Sequence, residues 1–405
     1  MHALTLLATL LLVATLVAAP AVFWGWELLG PARRYTPSSL EWFHDDISVR
    51  IITRGQTDVV NATLTALDPR FTSVIVISET PLPDVDAPVA VVPPEFSSHA
   101  TRKGRALEWA RLTLPCDHEY ILYLDEDTLL PRCEGLPDAD IVQLRERPYR
   151  TGSRLAYFTE IFRMGYQTEQ RAFPRLKLPL YAWGGGFAVR TQIEQDITWD
   201  RPTFIEDTVF TWHAVLDGGA SFDLAWTRCF NQAPKTIMQL LRQRRRWMAG
   251  TRAEDRFLPE RFFALSRLRG LGWAISPIIP VLLPLVYYTR AIGPSLTVTV
   301  PIAAISILWV FSWSALGVQY YELSRWNVAL ILLITPLLTI INGTGAAWGF
   351  LSAPKDFDVT PKVAPKQVRR AVRDGETAVA VVMGTGESNE LIVADENVSI
   401  AVDEV

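Results

Sequence analysis

Apolar positions follow two regimes along the chain, long uninterrupted runs at the beginning and the end and short alternating ones between. Ala3 to Trp26 carry no charge before Glu27, and about 20 apolar residues rising ~1.5 Å each cross a hydrocarbon core of ~30 Å. This run predicts a transmembrane helix. A cleaved leader with small residues at Ala18 and Ala19 is the alternative, but no Lys or Arg precedes the run and it continues through Phe23, Trp24 and Trp26. Arg33 and Arg34 follow at once and mark the cytoplasmic side. Three more apolar blocks come late: Trp273 to Tyr288, Leu296 to Val318 and Val328 to Phe350. The first contains Pro277, Pro280 and Pro284, each of which removes a backbone donor. It is expected to be a kinked, re-entrant or interfacial element, and the other two are expected to cross.

The middle of the chain reads differently. Val49 to Thr53, Val74 to Ile77, Val89 to Val92 and Ile121 to Leu124 are strand-like, and helix-period segments such as Lys103 to Thr113 lie between them. That alternation predicts an α/β domain with a mainly parallel sheet. The expected organisation is an anchor over 1–30, a catalytic domain over 31–252, an interfacial helix with transmembrane helices over 253–352, and a cytoplasmic loop and tail over 353–405. The tail from Asp374 to Val405 has eight acidic residues and no Lys or Arg. It reads as a mobile acidic extension whose Val-rich stretches could pair as short strands.

Composition narrows the class. Across 405 residues, 39 Lys and Arg stand against 43 Asp and Glu, a net charge of -4, so no nucleic-acid partner is expected. An apolar fraction of 49%, 14 Trp and a mean hydropathy of +0.16 exceed what an ordinary soluble domain carries. Membrane lipids are therefore expected partners. Cys116, Cys133 and Cys229 include no C-x-x-C pair, which indicates neither a disulfide framework nor a zinc knuckle and fits a reducing cytosol.

Three segments carry candidate chemistry. Ile121 to Leu124 runs into Asp125-Glu126-Asp127, and residues two apart on an extended chain point the same way, so the Asp125 and Asp127 carboxylates can converge where a parallel strand ends. Hard divalent cations take such oxygens together with substrate phosphates, although a solvated turn has the same composition. Glu206-Asp207 opens an apolar helical segment. Two acids in a first turn suit the helix dipole, and one beside a cleft can also act as a general base. In Gln239 to Trp247, the residues Gln243, Arg246 and Trp247 fall at i, i+3 and i+4, on one helix face. That face offers forked donors for a diphosphate and a flat indole for a sugar ring. Arg242, Arg244, Arg245 and Arg252 on the same helix suit anionic lipid.

Together these segments resemble the membrane-bound family-2 glycosyltransferases, inverting enzymes of GT-A fold that include cellulose and hyaluronan synthases. Asp125-Glu126-Asp127 is similar to their D-x-D, Ile205-Glu206-Asp207 to their T-E-D, and Gln243-Arg244-Arg245-Arg246-Trp247 to their Q-x-x-R-W. Phe357-Asp358-Val359-Thr360-Pro361-Lys362 resembles their gating-loop motif F-x-V-T-x-K. The wording is more specifically like the egghead-type β-1,4-mannosyltransferases, in Thr53-Arg54-Gly55, in Lys103 to Leu107 and in Leu124 to Leu130. Asp127, Ile205 and Glu79 depart from those patterns, which bears on the donor rather than the reaction.

The resemblance implies a Rossmann-like GT-A catalytic domain flanked by membrane helices, with its site in the cytoplasm. It implies a GDP- or UDP-sugar donor, a Mg2+ or Mn2+ ion held by Asp125 and Asp127, and a lipid-linked or glycan acceptor. Arg54, Glu79 and Lys103 would line the nucleotide, whereas Arg105 reads as a solvated helix face. Asp207, beside Glu206, would be the base. Gln243, Arg246 and Trp247 would bind acceptor and diphosphate, and Gly184-Gly185-Gly186 would admit the acceptor close to the backbone, or simply turn the chain. A processive polysaccharide synthase and a catalytically inactive nucleotide-binding scaffold are the competing expectations. The first calls for more spans than this chain offers. Intact acids at Asp125, Asp127 and Asp207 argue against the second.

Overall fold

The computed structural model describes residues 19–281, 296–355, 360–373, 376–383 and 389–393. Packing divides it into two compact units. One comprises Thr36–Gly152, Phe173–Ala233 and Pro361–Val405, the other Met1–Tyr35, Ser153–Ala172 and Pro234–Thr360.

The first unit is built on a seven-stranded sheet: β1 (Ile47–Thr53), β2 (Ser73–Ser78), β3 (Val89–Val91), β4 (Tyr120–Asp125), β5 (Ile141–Glu146), β6 (Phe187–Arg190) and β7 (Phe222–Cys229). Their order is β3-β2-β1-β4-β6-β5-β7. All neighbours are parallel except at β6, which runs against both β4 and β5. β1 is buried along its whole length and β4 up to Leu124, as expected of central strands covered on both faces. Every strand-like run read from the sequence lies in this sheet, and the helix Lys103–Thr113 has the expected bounds. This is the expected α/β architecture with a mostly parallel sheet.

In the tail the Val-rich stretches do pair as short strands. Part of it is ordered as an antiparallel sheet of β8 (Gln367–Arg373), β9 (Glu376–Val382) and β10 (Asn389–Val393). Val379, Val381 and Met383 pack in one core with Ala66, Leu129, Tyr149 and Phe230. Its valines outweigh its charge: alternate apolar positions gave it a face to bury.

The second unit is helical. Helix Ile237–Glu254 begins with a capping box between Thr236 and Gln239 and packs along Thr335–Leu351. The fit is closest at Gly345 and Gly349, where a Cβ would run into the backbone of Leu241 and Arg245, the close approach that small residues four apart permit. Arg244 is fully buried, so its assignment to a lipid-facing surface does not hold. It donates through Nε to Asn342 Oδ1 (2.9 Å), through Nη1 to Gln243 Oε1 (2.6 Å), and pairs with buried Glu160, which also holds Arg163 Nε at 2.7 Å. Arg245 and Arg252 likewise serve the protein, donating to the carbonyls of Ser352 and Phe350 where a helix ends. Arg242 is exposed.

Of the apolar blocks, Trp273 is the tail of a helix that starts at Glu260 and stops at Ile275, and a short 3-10 turn follows with Pro277 near its start. Leu296–Val318 is one helix. Val328 to Phe350 is not one rod but two helices, Arg325–Leu333 and Thr335–Leu351, bent by 61°. Pro336, at the start of the second, explains the break, having no amide proton to continue the ladder. Among the described residues no single helix is long and apolar enough to cross a membrane, and that bent pair passes the same test jointly. The first eighteen residues of the expected anchor, and Phe357 to Val359 of the F-x-V-T-x-K segment, lie outside the described residues.

Candidate active site

The sheet delivers its chemistry at the carboxyl ends of β1, β2, β4, β5 and β7 and at the turn entering β6, where open parallel sheets bind ligands. The D-E-D triplet leaves β4 there, and its three acids separate by environment. Glu126 faces inward: its Oε2 accepts from Thr53 Oγ1 at 2.5 Å and from Arg54 N at 3.3 Å, and Thr63 donates to its carbonyl at 2.6 Å. Burial raises its pKa. It fixes the Thr53-Arg54-Gly55 turn to the end of β4, a structural role that the sequence did not suggest.

Asp125 is partly exposed and Asp127 buried, and each meets an ammonium group. Lys103 Nζ lies 2.9 Å from Asp125 Oδ1, and Lys362 Nζ lies 2.6 Å from Asp127 Oδ1. Asp127 Oδ2 also accepts from Gln232 N at 3.0 Å. The Gln232 side chain in turn exchanges two hydrogen bonds, of 2.7 and 2.8 Å, with the backbone of Val363. Lys362 is thus clamped beside Asp127 from the residue that follows it.

Lys103 is the hub of the site. Arg102, in the left-handed region at φ 56°, turns the chain so that Lys103 opens its helix with the amine directed at the acids. Besides Asp125 it reaches Asp207 Oδ1 and Oδ2 at 3.2 and 3.3 Å and Glu206 Oε1 at 3.8 Å. Burial alone would lower its pKa, but Asp125, Asp207 and Glu206 outweigh burial and raise it. Burial pushes the Asp207 carboxyl up, with Asp125 adding to the rise and Lys103 opposing it. Both acids stand in the first turn of helix Glu206–Leu216, as expected.

The three glycines lie where side chains approach the backbone closely. A Cβ on Gly184 would collide with the Asp207 carboxylate and the Lys103 ammonium. One on Gly185 would meet Asn231 and Glu146, and one on Gly186 would meet Cys229 and Leu144. Glu79 Oε2 binds Arg105 Nη1 at 2.6 Å, and its buried Oε1 accepts no hydrogen bond. Arg105 is no solvated face: it also donates to the carbonyls of Phe96 (3.1 Å) and Pro93 (2.6 Å). Arg54 follows β1 in the turn fixed by Glu126. The three cysteines are free thiols.

Asp125, Asp127, Glu206, Asp207, Lys103, Lys362 and Gly184 are therefore gathered in one unit. Gln243, Arg246 and Trp247 belong to the helical unit, where all three are half-buried. There the Trp247 ring has the guanidinium groups of Arg244 and Arg163 at 4.5 and 5.3 Å.

The family model for glycosyl transferase family group 2 matches residues 120–341. The chain belongs to that family, and the protein is a glycosyltransferase. It is similar to beta-1,4-mannosyltransferase egh of Drosophila melanogaster, with 24% identity over 368 residues and 78% of each chain covered. It also resembles the structure of mannosyltransferase PcManGT from Pyrobaculum calidifontis in complex with GDP-Man and Mn2+ (TM-score 0.47, 16% identity, 82% of this chain and 99% of that one). A third likeness is to glucosyl-3-phosphoglycerate synthase from Mycobacterium tuberculosis with Mn2+, UDP and phosphoglyceric acid (TM-score 0.35, 14% identity, 56% of this chain and 81% of that one).

Proposed function

We propose that the protein transfers a sugar from a GDP- or UDP-sugar, with the aid of a divalent cation and with inversion, to a lipid-linked glycan acceptor at the cytoplasmic face of a membrane. The observation that carries this reading is the bridge of Lys103 between Asp125 and Asp207, which puts a candidate diphosphate ligand and a candidate base on one amine.

The donor set fits a hard cation. Among the described residues no three His, Cys, Asp or Glu side chains form a metal cage, but Asp125 and Asp127 offer two carboxylate ligands, each paired with an ammonium group at 2.9 or 2.6 Å that a cation would displace toward the phosphates. Mg2+ or Mn2+ held there would neutralise charge on the departing nucleoside diphosphate. Lys103 and Lys362 offer two further positive charges to the same leaving group. Glu79 and Arg54 line the nucleotide, and the unmet acceptor at Glu79 Oε1 suits an N–H of the base. Asp207 takes the proton of the attacking hydroxyl; its burial and raised pKa favour that role over simple helix capping. Glu206, 3.8 Å from Lys103, tunes the same field. Gln243, Arg246 and Trp247 are assigned to acceptor and diphosphate on the strength of their motif.

Membrane attachment rests on the apolar helices and on charge. Arg residues before the closing blocks and Lys355 to Arg373 after them both read as cytoplasmic, and the pairing of Lys362 with Asp127 supports an even number of crossings between them. A cysteine introduced at Ser388 should resist an impermeant thiol reagent on intact cells and react after permeabilisation. Labelling without permeabilisation would reject this topology. For the chemistry, Asp207→Asn should retain donor binding by calorimetry and lose transfer. Undiminished transfer, or loss of donor binding along with it, would remove Asp207 from the role of base.

A further inference from the structure

The segment before the glycines carries two aromatic rings whose placement the reaction as described above does not use. Phe173, fully buried, meets Tyr181 edge to face at 5.0 Å and 85°, and Tyr181 stacks on Trp183 at 5.8 Å and 22°. Tyr181 and Trp183 are both half-buried. The ladder therefore runs from the core to a partly open indole.

That indole is fixed relative to the candidate base through three successive residues. Ala182 exchanges two hydrogen bonds with Thr208 Oγ1, donating at 3.0 Å and accepting at 3.1 Å, and Thr208 is the residue after Asp207. Trp183 N donates to Gln143 Oε1 at 2.7 Å, and the fully buried Gln143 donates from Nε2 to Gly186 O at 2.8 Å. Gly184 has no room for a Cβ against Asp207. Aromatic planes bind the C–H face of a pyranose through apolar contact, while polar groups at the rim take its hydroxyls.

We infer that Trp183, braced by Tyr181, is the platform on which the sugar ring of the acceptor lies as its hydroxyl is presented to Asp207. This rests on the reading of Asp207 as base. The platform is assigned to the acceptor because its anchorage runs to the base helix at Thr208, the residue after Asp207. It also defines the acceptor class: a pyranose with an open C–H face, rather than a bare polyprenyl phosphate.

The test uses the full chain in nanodiscs with octyl β-D-glucoside as the acceptor probe and whichever radiolabelled GDP- or UDP-sugar the wild type transfers to it. Trp183→Ala should raise the KM for the glucoside by roughly three- to tenfold, the loss of one stacking contact, with the donor KM unmoved. Trp183→Phe should recover most of that loss, and Tyr181→Ala should show a smaller rise of the same kind. Saturation-transfer NMR on the same samples should show the glucoside ring protons losing contact in Trp183→Ala. An unchanged glucoside KM, a rise in donor KM instead, or a Phe variant no better than Ala would overturn the platform. A wild type that transfers none of the sugars would instead overturn the function reading on which it rests.

Discussion

The two units each hold a cluster of opposite charges, and the clusters are built for different ends. In the catalytic unit, Asp125, Asp127, Glu206 and Asp207 are matched by two lysines, point charges on flexible stems reaching a partly exposed cleft. In the helical unit, Glu160, Arg163, Arg244 and Asn342 form a closed set in which planar guanidinium forks are satisfied at fixed angles. Burial lowers the Arg244 pKa to about 10, with neighbouring Arg163 contributing and Glu160 opposing. The lysine cluster can exchange its cations for a ligand; the arginine cluster can only hold or break. An excess of carboxylate over ammonium in a cleft is a binding site in waiting. A buried set in which one carboxylate is shared by two guanidinium groups is a rivet.

That contrast can be broken at several points. The largest effect is expected in the cleft: Asp127→Ala or Asp125→Ala should abolish transfer with the protein still folded and inserted, and excess EDTA should do the same to the wild type. Transfer that survives either treatment excludes a cation clamp. Next, Glu160→Ala leaves Arg163 and Arg244 without their carboxylate, and should cost about 3–5 kcal/mol in thermal or denaturant unfolding. Arg244→Met is the sharper probe, since Glu160 keeps Arg163: it should cost clearly less than Glu160→Ala, and equal losses would mean that the set is not the rivet described. Glu206→Gln should reduce kcat less than Asp207→Asn, for which about 10²–10⁴ is expected of a lost general base. The smallest change is Arg105→Lys, which removes the fork on Glu79 and two carbonyls and should raise the donor KM a few-fold without touching kcat.

What was legible in the sequence follows from the range of the interactions. Strand ends, helix starts and the spacing of Asp125, Asp127, Glu206 and Asp207 are local patterns, and the sheet realised them within a residue or two. Lys362 was also readable, because its segment resembles a known motif, although nothing local predicts its contact with Asp127 across the sequence. Gln232, Glu126 and Glu160 were not legible. Each acts through at least one partner distant in the chain, and a single polar residue in a loop or on a buried helix face has no periodicity to betray it. Arg244 and Arg105 were misread for the same reason: an arginine on a helix looks solvated until the acid that pairs with it is known. The tail was legible in part: its Val-rich stretches suggested the short strands that pair as β8 to β10, while its eight acids suggested a mobile extension. The 61° bend within the last apolar block was announced by Pro336, but hydropathy averages over such breaks.

The most direct test of the whole account is to incubate membranes containing the protein with a panel of radiolabelled nucleotide sugars, extract the lipids, and compare wild type with Asp207→Asn. One GDP- or UDP-sugar should label the lipid fraction in the wild type, in a metal-dependent manner, and that label should fall to background in the variant. Lipid label from no donor, or equal label in Asp207→Asn, would contradict it.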